Sequence, residues 1–378
     1  MTDYDLIIIG AGIHGAALAR AASYDGYKVC VLEQYSQPAM ATSRSSSKLI
    51  HGGLRYLESF QFALVRECLL ERKFLLKNAP HLVKLLPFYI PVYKHNSRPG
   101  WLIFLGLSLY RLLGGGKFRK IPPSEWSQLD GINQTGLRSV YQYFDAQTDD
   151  QKLTHAVLAD AINHGAEFKP AHKVTDISTQ PDLISLQTDQ PGTLRCKILI
   201  NASGPWVNDV LSKITPKITP LPIDLVQGTH IIIPRQLNKG VYYIEASDKR
   251  VIFFIPWQQH CLVGTTETIF NQLAENCQPL TEEINYLLAV WNQTFNDDLK
   301  TADIIESFAG LRVLPESGDN AFRRNRDTIL HNPNPKVISI VGGKLTAHRA
   351  TAESVMKLVH QQLAGYKFTD TSDITLNT

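Results

Sequence analysis

The chain has 378 residues and a mass of 42.3 kDa, more than one typical domain holds, and its hydrophobic share of 44% is that of a globular protein. A formal charge of +3 and a pI near 8.5 are only mildly basic, and no basic stripe with interleaved aromatics marks a nucleic-acid surface. Cys30, Cys68, Cys196, Cys261 and Cys277 are dispersed without a C-x-x-C pair, which speaks against a disulfide frame or a cysteine zinc site, and no metal site is expected.

The N-terminus passes from Asp3, Tyr4 and Asp5 directly into an apolar strand. It has no basic n-region, so no signal peptide is expected and the protein is placed in the cytoplasm. Asp5–Ile9 reads as a buried parallel strand. It runs into Gly10-Ala11-Gly12-Ile13-His14-Gly15, then an Ala-rich helix, then a second strand, Lys28–Leu32, ending at Glu33. Gly10 suits the tight turn, Gly12 the approach of a pyrophosphate, and Gly15 close packing of helix on strand. Glu33 is placed for an adenosine ribose and would repel a 2′-phosphate, which disfavours NADP. A lone G-x-G-x-x-G is weak, but strand, glycines, helix, strand and acid within 33 residues specify an ADP-binding unit. Nicotinamide and flavin both remain open at this point. His14 reads as a solvent-facing turn residue.

The next stretch is ATSRSSSKLIHGGLRYLE, residues 41–58. A simple nicotinamide dehydrogenase would continue with another strand–helix unit. A polar loop with interleaved Leu49, Ile50 and Leu54 instead suits a long cofactor clasped by hydroxyls and glycine N–H groups, and FAD fits. Residues 60–79 form an amphipathic helix. Trp101–Leu113 (WLIFLGLSLYRLL), flanked by Arg98, Lys117, Arg119 and Lys120, is too short to span a bilayer, which takes roughly 20 residues. It is expected as a buried helix under a loop, with a helix lying in a membrane interface as the alternative.

Asp149–His164 is a further helix, and Lys169–Leu186 reads as short strands turning at Gln180-Pro181-Asp182. Arg195–Ile200 is a strand ending in Asn201-Ala202-Ser203-Gly204-Pro205-Trp206. Four runs rich in β-branched residues, Ile223–Pro234, Val241–Ala246, Val251–Pro256 and His260–Thr265, predict an antiparallel sheet. The helix Thr281–Phe295 is expected to be capped by Thr281. Finally Lys336–Val341 leads through Gly342-Gly343-Lys344-Leu345-Thr346 into a helix over Ala347–Leu363. Three strand–turn–helix junctions far apart in sequence imply a discontinuous nucleotide domain.

At this point the chain resembles the FAD-dependent glycerol-3-phosphate dehydrogenases and oxidases, within the D-amino-acid oxidase-like superfamily. The likeness rests on GAGIHGA (10–16), residues 41–58, NASGPWV (201–207), QGTHIIIPR (227–235), VIFFIPW (251–257), VGTTE (263–267), FAGLRVLP (308–315), RNRDTIL (324–330) and VGGKLT (341–346). It implies an α/β fold: a Rossmann-like FAD-binding domain (1–85, 145–215 and 305–378) and an antiparallel-sheet substrate domain (86–144 and 216–304). The cofactor contacts expected are Gly10, Gly12, Gly15 and Glu33; Thr42, Ser43, Ser46, Ser47, Lys48, Leu49, His51, Gly52 and Gly53; Val174; Ala202, Ser203, Gly204 and Trp206; and Gly343, Lys344, Leu345 and Thr346. Arg55, Tyr56, Arg326 and Lys344 are expected to hold substrate, with His230 as base and Arg312 stabilising the reacting oxygen.

The expected reaction is oxidation of sn-glycerol 3-phosphate to dihydroxyacetone phosphate by hydride transfer from C2 to flavin N5. Quinone and oxygen both remain open as electron acceptor, peripheral membrane contact accompanies the reading, and no oligomeric state is implied. The rivals are a sister flavoenzyme acting on a 2-hydroxy or amino acid and a flavin-binding or membrane-docking protein without turnover. Dehydrogenase members carry a further C-terminal helical domain, so the chain reads as a short form ending in a polar tail. Arg44, Gln227, Glu267 and a late proline in FAGLRVLP depart from the usual pattern, with Arg44 and Gln227 bearing on fine specificity.

Overall fold

The computed structural model describes residues 2–316 and 328–376. The first apolar run is the strand Tyr4–Ile9, buried along its whole length. Val29–Leu32 pairs parallel on one side of it and Thr193–Asn201 on the other, and Val337–Val341 pairs parallel beyond that. Ile8 lies opposite Val31 and Ile200, and Ile200 opposite Ile338, so the four strand ends come level. Ligands of open α/β sheets bind beyond such carboxyl ends. The hairpin Val174–Thr179 with Ile184–Thr188 continues the sheet antiparallel to Thr193–Asn201, giving nine strands among the described residues.

In chain order the helices used below are α1 (Ile13–Tyr24), α2 (Phe62–Asn78), α3 (Gly100–Tyr110), α4 (Asp150–Asn163), α5 (Val207–Ser212), α6 (Thr281–Phe295) and α7 (His348–Gln362). The alanines of α1 let it lie close to the sheet, where it shares one core with α4 and α7. Arg20 of α1 reinforces this with an ion pair to Asp160 of α4 at 2.5 Å. Val210 and Leu211 of α5 cover the opposite face. The polar tail is docked: Leu376 is buried in the α1/α4/α7 core, and its N–H donates to Asn78 O at 2.9 Å.

A second sheet has ten strands among the described residues. The long antiparallel pair Val83–Tyr93 and Leu137–Thr148 forms one part of it. Ile223–Ile233 lies between His260–Gly264 and Glu306–Pro315 in the other. The expected strands are present, but the sheet is not wholly antiparallel, because Val241–Glu245 pairs parallel with Val83–Tyr93.

Two segments assigned by sequence to the nucleotide domain pair in this sheet instead. Glu306–Pro315 runs along Ile223–Ile232, and Leu49–Ile50 pairs with Gln147 and Ala146. Strand pairing is a long-range choice that local apolar runs do not encode. α6 packs on one face through Leu287 and Trp291, while α2 and α3 pack on the other through Val65, Leu69 and Leu107. α6 begins at Thr281 itself, with Leu280 rather than Thr281 in the N-cap position.

α3 is the chief departure from expectation. Ile103, Leu107 and Tyr110 face the core, but Trp101, Phe104 and Leu105 are 68%, 53% and 58% exposed. A helix apolar on every side can bury only the side that faces the sheet. No helix among the described residues is long and apolar enough to cross a membrane.

Candidate active site

A cleft of about 340 Å³ runs across the level strand ends. One end is walled by Glu33, Tyr35, Lys173, Val174 and Trp206, the middle by Gly10, Gly12, Ser43 and Ser203, and the far end by Ser47, His51, Tyr56, His230, Arg312 and residues 342–346. Gly10 has φ +100°, and a Cβ on it would stand 2.7 Å from Ala202 O, so the first two strand–turn junctions meet only because it is glycine. The glutamate expected at the ribose is buried, and its carboxylate accepts Ala11 N–H at 2.7 Å and Tyr35 N–H at 3.0 Å. Burial holds its pKa above the ordinary carboxylate value.

The serine-rich loop resolves into separate attachments. Thr42 Oγ1 donates to Leu311 O at 2.8 Å, and Ser43 Oγ accepts Ile13 N–H at 2.9 Å. Ser45 lies against Gly310, where a Cβ would come within 2.8 Å of it. Ser46 donates N–H and Oγ–H to Asp150 Oδ2 at 2.9 and 2.7 Å. Asp150, the fully buried first residue of α4, also takes the ammonium of Lys48 at 2.5 Å. Sequence reading missed Asp150, because an acid at a helix start has an ordinary role in capping.

The structure revises several expected cofactor contacts. Lys48 does not line the cleft; it is buried with Asp150, its ammonium beneath the rings of Trp257 and Phe308. Gly15 is also absent from the lining and packs on Gly10, where a Cβ would be 1.9 Å from the carbonyl oxygen. Gly52 is buried, its N–H donating to Tyr110 Oη at 2.8 Å, while Gly53 lines a neighbouring chamber. The remaining expected contacts, including Leu49, Gly204, Gly343, Leu345 and Thr346, line the cleft. His14 lines it too, with Nδ1 sealed from solvent; a Cβ on Gly343 would be 2.3 Å from its Nε2, so it is no solvent-facing turn residue. Burial lowers its pKa to about 4.

A chamber of about 100 Å³ opens beside the far end of the cleft, sharing Ser47, His51, Tyr56 and Arg312 with it. Arg312 donates to Glu267 Oε1 at 3.1 Å and to Thr265 Oγ1 at 3.3 Å, and Arg55 reaches the same Glu267 oxygen at 3.8 Å. Arg250, not foreseen from sequence, lines the chamber beside Tyr243, Phe88 and Phe253. Lys344 is not among its lining; its ammonium lies 4.2 Å from the Tyr56 ring centre on the cleft side, without a hydrogen-bond partner among the described residues. Arg326 lies outside the described residues.

His230 is 1% exposed, with Nε2 2.9 Å from Ser47 Oγ and its ring stacked on Phe308 at 5.1 Å. Gly264 stands opposite it in the sheet, and a Cβ there would lie 2.2 Å from His230 Cδ2. Burial, reinforced by the charges of Arg312 and Lys48, holds its pKa well below the ordinary histidine value. The imidazole is therefore neutral at pH 7 rather than titrating there. Residues two apart on a strand share a face, so Gly228 and His230 face the cleft while Gln227 and Thr229 face α6 and bond to Glu283. Gln227 thus sits behind the wall and not in it. Arg44 is exposed, contacts Met40 Sδ at 3.8 Å and lines neither cavity.

The donor set fits FAD. The N-terminus of α1 opens on the middle of the cleft with no acid in its first turn, and the first N–H groups of a helix lack intrahelical partners, which suits a pyrophosphate. Gly342 and Gly343, at φ +73° and +100°, turn the chain tightly at the other end, ahead of α7. A nucleotide-binding sheet feeding a cleft that ends in a cationic chamber defines a flavin-dependent oxidoreductase.

The chain belongs to the FAD dependent oxidoreductase family, whose profile matches residues 5–349. It is 37% identical to a glycerol-3-phosphate dehydrogenase of Pseudomonas aeruginosa over 93% of this chain and 71% of that protein. It is 34% identical to a D-erythritol 1-phosphate dehydrogenase of Brucella abortus over 96% of this chain and 75% of that protein. Among solved structures, the glycerol-3-phosphate dehydrogenase of Bacillus halodurans complexed with FAD superposes with a TM-score of 0.75 at 26% identity, covering 99% of this chain and 67% of that one. The protein is an FAD-dependent oxidoreductase.

Proposed function

We propose that the protein oxidises the secondary alcohol of a small polyol phosphate, sn-glycerol 3-phosphate first, to the ketone dihydroxyacetone phosphate. The observation that carries this reading is the pair Arg55 and Arg312 gathered on Glu267, where the chamber meets the cofactor cleft beside His230. Two guanidiniums converge on this one carboxylate, and Arg250, ion-paired with Asp248 at 2.6 Å, stands on the chamber wall. Guanidiniums bind phosphate through strong charge-assisted hydrogen bonds.

Bound FAD supplies the acceptor for the hydride leaving C2. The neutral His230, oriented by Ser47 and Phe308, takes the hydroxyl proton. Arg312 stabilises the charge that grows on the C2 oxygen, and Arg55 with Tyr56 holds the phosphate end. In this reading the nucleotide sheet holds the cofactor and the ten-stranded sheet forms the substrate wall. A quinone or oxygen then takes the electrons.

The exposed face of α3 supports membrane contact. Trp101, Phe104, Leu105 and Leu112 are exposed, and Arg111, Lys117, Arg119 and Lys120 beside them are exposed as well. Apolar side chains ringed by cations suit a surface of anionic lipid. Co-sedimentation with vesicles rich in phosphatidylglycerol, and not with phosphatidylcholine alone, is the expected result; no binding to either removes this contact.

Anaerobic titration of the bound flavin tests the substrate. Glycerol 3-phosphate should bleach the oxidised flavin band. Faster bleaching by erythritol 1-phosphate would lengthen the substrate, bleaching only by a hydroxy or amino acid would replace it, and bleaching by none would leave a binding protein.

A further inference from the structure

We propose that Tyr110 is a positioning residue for the chamber: its hydroxyl fixes the Gly52 peptide and, through it, the side chains of His51 and Arg55. The proposal rests on reading the chamber as the substrate site. Tyr110 is the last residue of α3, is 1% exposed, and accepts Gly52 N–H at 2.8 Å while donating to Asp145 Oδ2 at 2.7 Å. Asp145, on the strand Leu137–Thr148, is itself held by an ion pair to Arg72 of α2. Arg72 in turn donates to Phe144 O at 2.8 Å. One oxygen therefore joins α3, α2 and the second sheet to a single peptide of the active-site turn.

That turn has little room to choose another place. A Cβ on Gly52 would stand 2.5 Å from Tyr110 Oη, so the peptide lies directly against the hydroxyl. Gly53 follows at φ +75°, and a Cβ there would meet the Tyr56 ring at 2.1 Å. The segment is thus clamped between the hydroxyl of one tyrosine and the ring of another. His51, immediately before the two glycines, and Arg55, two residues after them, both line the chamber. Moving the Gly52 peptide moves both, whereas the pyrophosphate end of the cleft is built from other segments. His51 lines the cofactor cleft as well, but the pyrophosphate walls stay in place, so the cost of losing the hydroxyl should fall on substrate binding more than on FAD retention.

Tyr110→Phe keeps the ring and removes the hydroxyl. Its flavin content and melting temperature should match those of the native holoenzyme within a few degrees. The apparent KM of the electron donor should rise ~10-fold with the limiting rate of flavin reduction changed less than ~3-fold, the split expected when ground-state binding geometry is lost. Asp145→Asn, which leaves the hydroxyl but loosens its anchor, should shift KM in the same direction by less. An unchanged KM in Tyr110→Phe, with or without a lower melting temperature, overturns the proposal and leaves the hydroxyl a structural bond. The comparison uses whichever donor bleaches the native flavin fastest. A wrong substrate class then shows in the native enzyme and leaves the variant test intact, and if no donor bleaches the native flavin, both readings fall.

Discussion

The cofactor cleft and the proposed substrate chamber share four residues but are assembled differently. The cleft is framed by three unbroken strand–turn–helix segments, 4–24, 193–212 and 337–362, and closed by the serine-rich loop, Lys173 and Val174, and residues of Ile223–Ile233 and Glu306–Pro315. The chamber takes Arg55 from a 3₁₀ turn, Arg312 from the strand Glu306–Pro315, Glu267 from the loop after His260–Gly264, and Arg250 from the approach to Val251–Trp257. On the proposed function, holding the cofactor depends chiefly on local backbone, and turnover on register across strands. Substitutions should separate the two, with cleft variants losing flavin and chamber variants keeping it while losing rate.

The largest effect is expected for Gly10→Val. At φ +100°, with Ala202 O 2.7 Å from the new Cβ, the first two junctions must part, and the purified protein should carry no visible flavin absorbance. Full flavin content would mean that the close approach of these two turns is not what holds the nucleotide. Next comes Arg312→Ala, which should retain flavin but slow its anaerobic reduction ~10²–10³-fold, the scale of losing a group that stabilises transition-state charge. Stopped-flow bleaching at the native rate would take Arg312 out of the chemistry.

The pH profile sharpens the same boundary. His230 must be neutral to accept a proton, and burial first, then Arg312 and Lys48, hold its pKa well below the usual histidine range. Reduction of the native flavin should therefore show no histidine limb as pH falls from 8 through the ordinary value near 6.5. Arg312→Ala removes one of the depressing charges, so the acid limb of what rate remains should move to higher pH. A native limb centred near neutrality would show that another group titrates in the step.

The contrast also explains what the sequence could reveal. The place of Gly10, Gly12 and Glu33 in the cleft lining was legible because their spacing marks a turn, a helix start and a strand end within one βαβ unit. Asp150 was not, because its work is done on Ser46 and Lys48, more than a hundred residues away, and nothing beside it in the chain marks that role. Arg250 and Gly264 escaped for the same reason: only the strand register sets Gly264 beneath His230. The outer face of α3 was misjudged because an apolar composition without a periodic stripe does not say which side is covered.

The smallest effect is expected at Gln227, and it bears on the comparison most directly. It neighbours the cleft wall in sequence, being three residues from His230, yet its side chain lies on the other face with Glu283. Burial pushes the Glu283 pKa upward, but hydrogen bonds from Thr229, Thr268, Thr266 and Gln227 outweigh it and leave it below the ordinary value. A depressed carboxylate contributes stability above its unfolded pKa and loses it as pH falls through the folded one. Gln227→Leu removes one donor, so urea unfolding near pH 7 should show a loss of about 1–3 kcal/mol. That loss should shrink as Glu283 becomes protonated at acid pH, while the KM and the reduction rate stay within ~2-fold of native, since no chamber group is touched. A raised KM without loss of stability would place Gln227 in the substrate wall and break the face alternation on which the cleft wall rests.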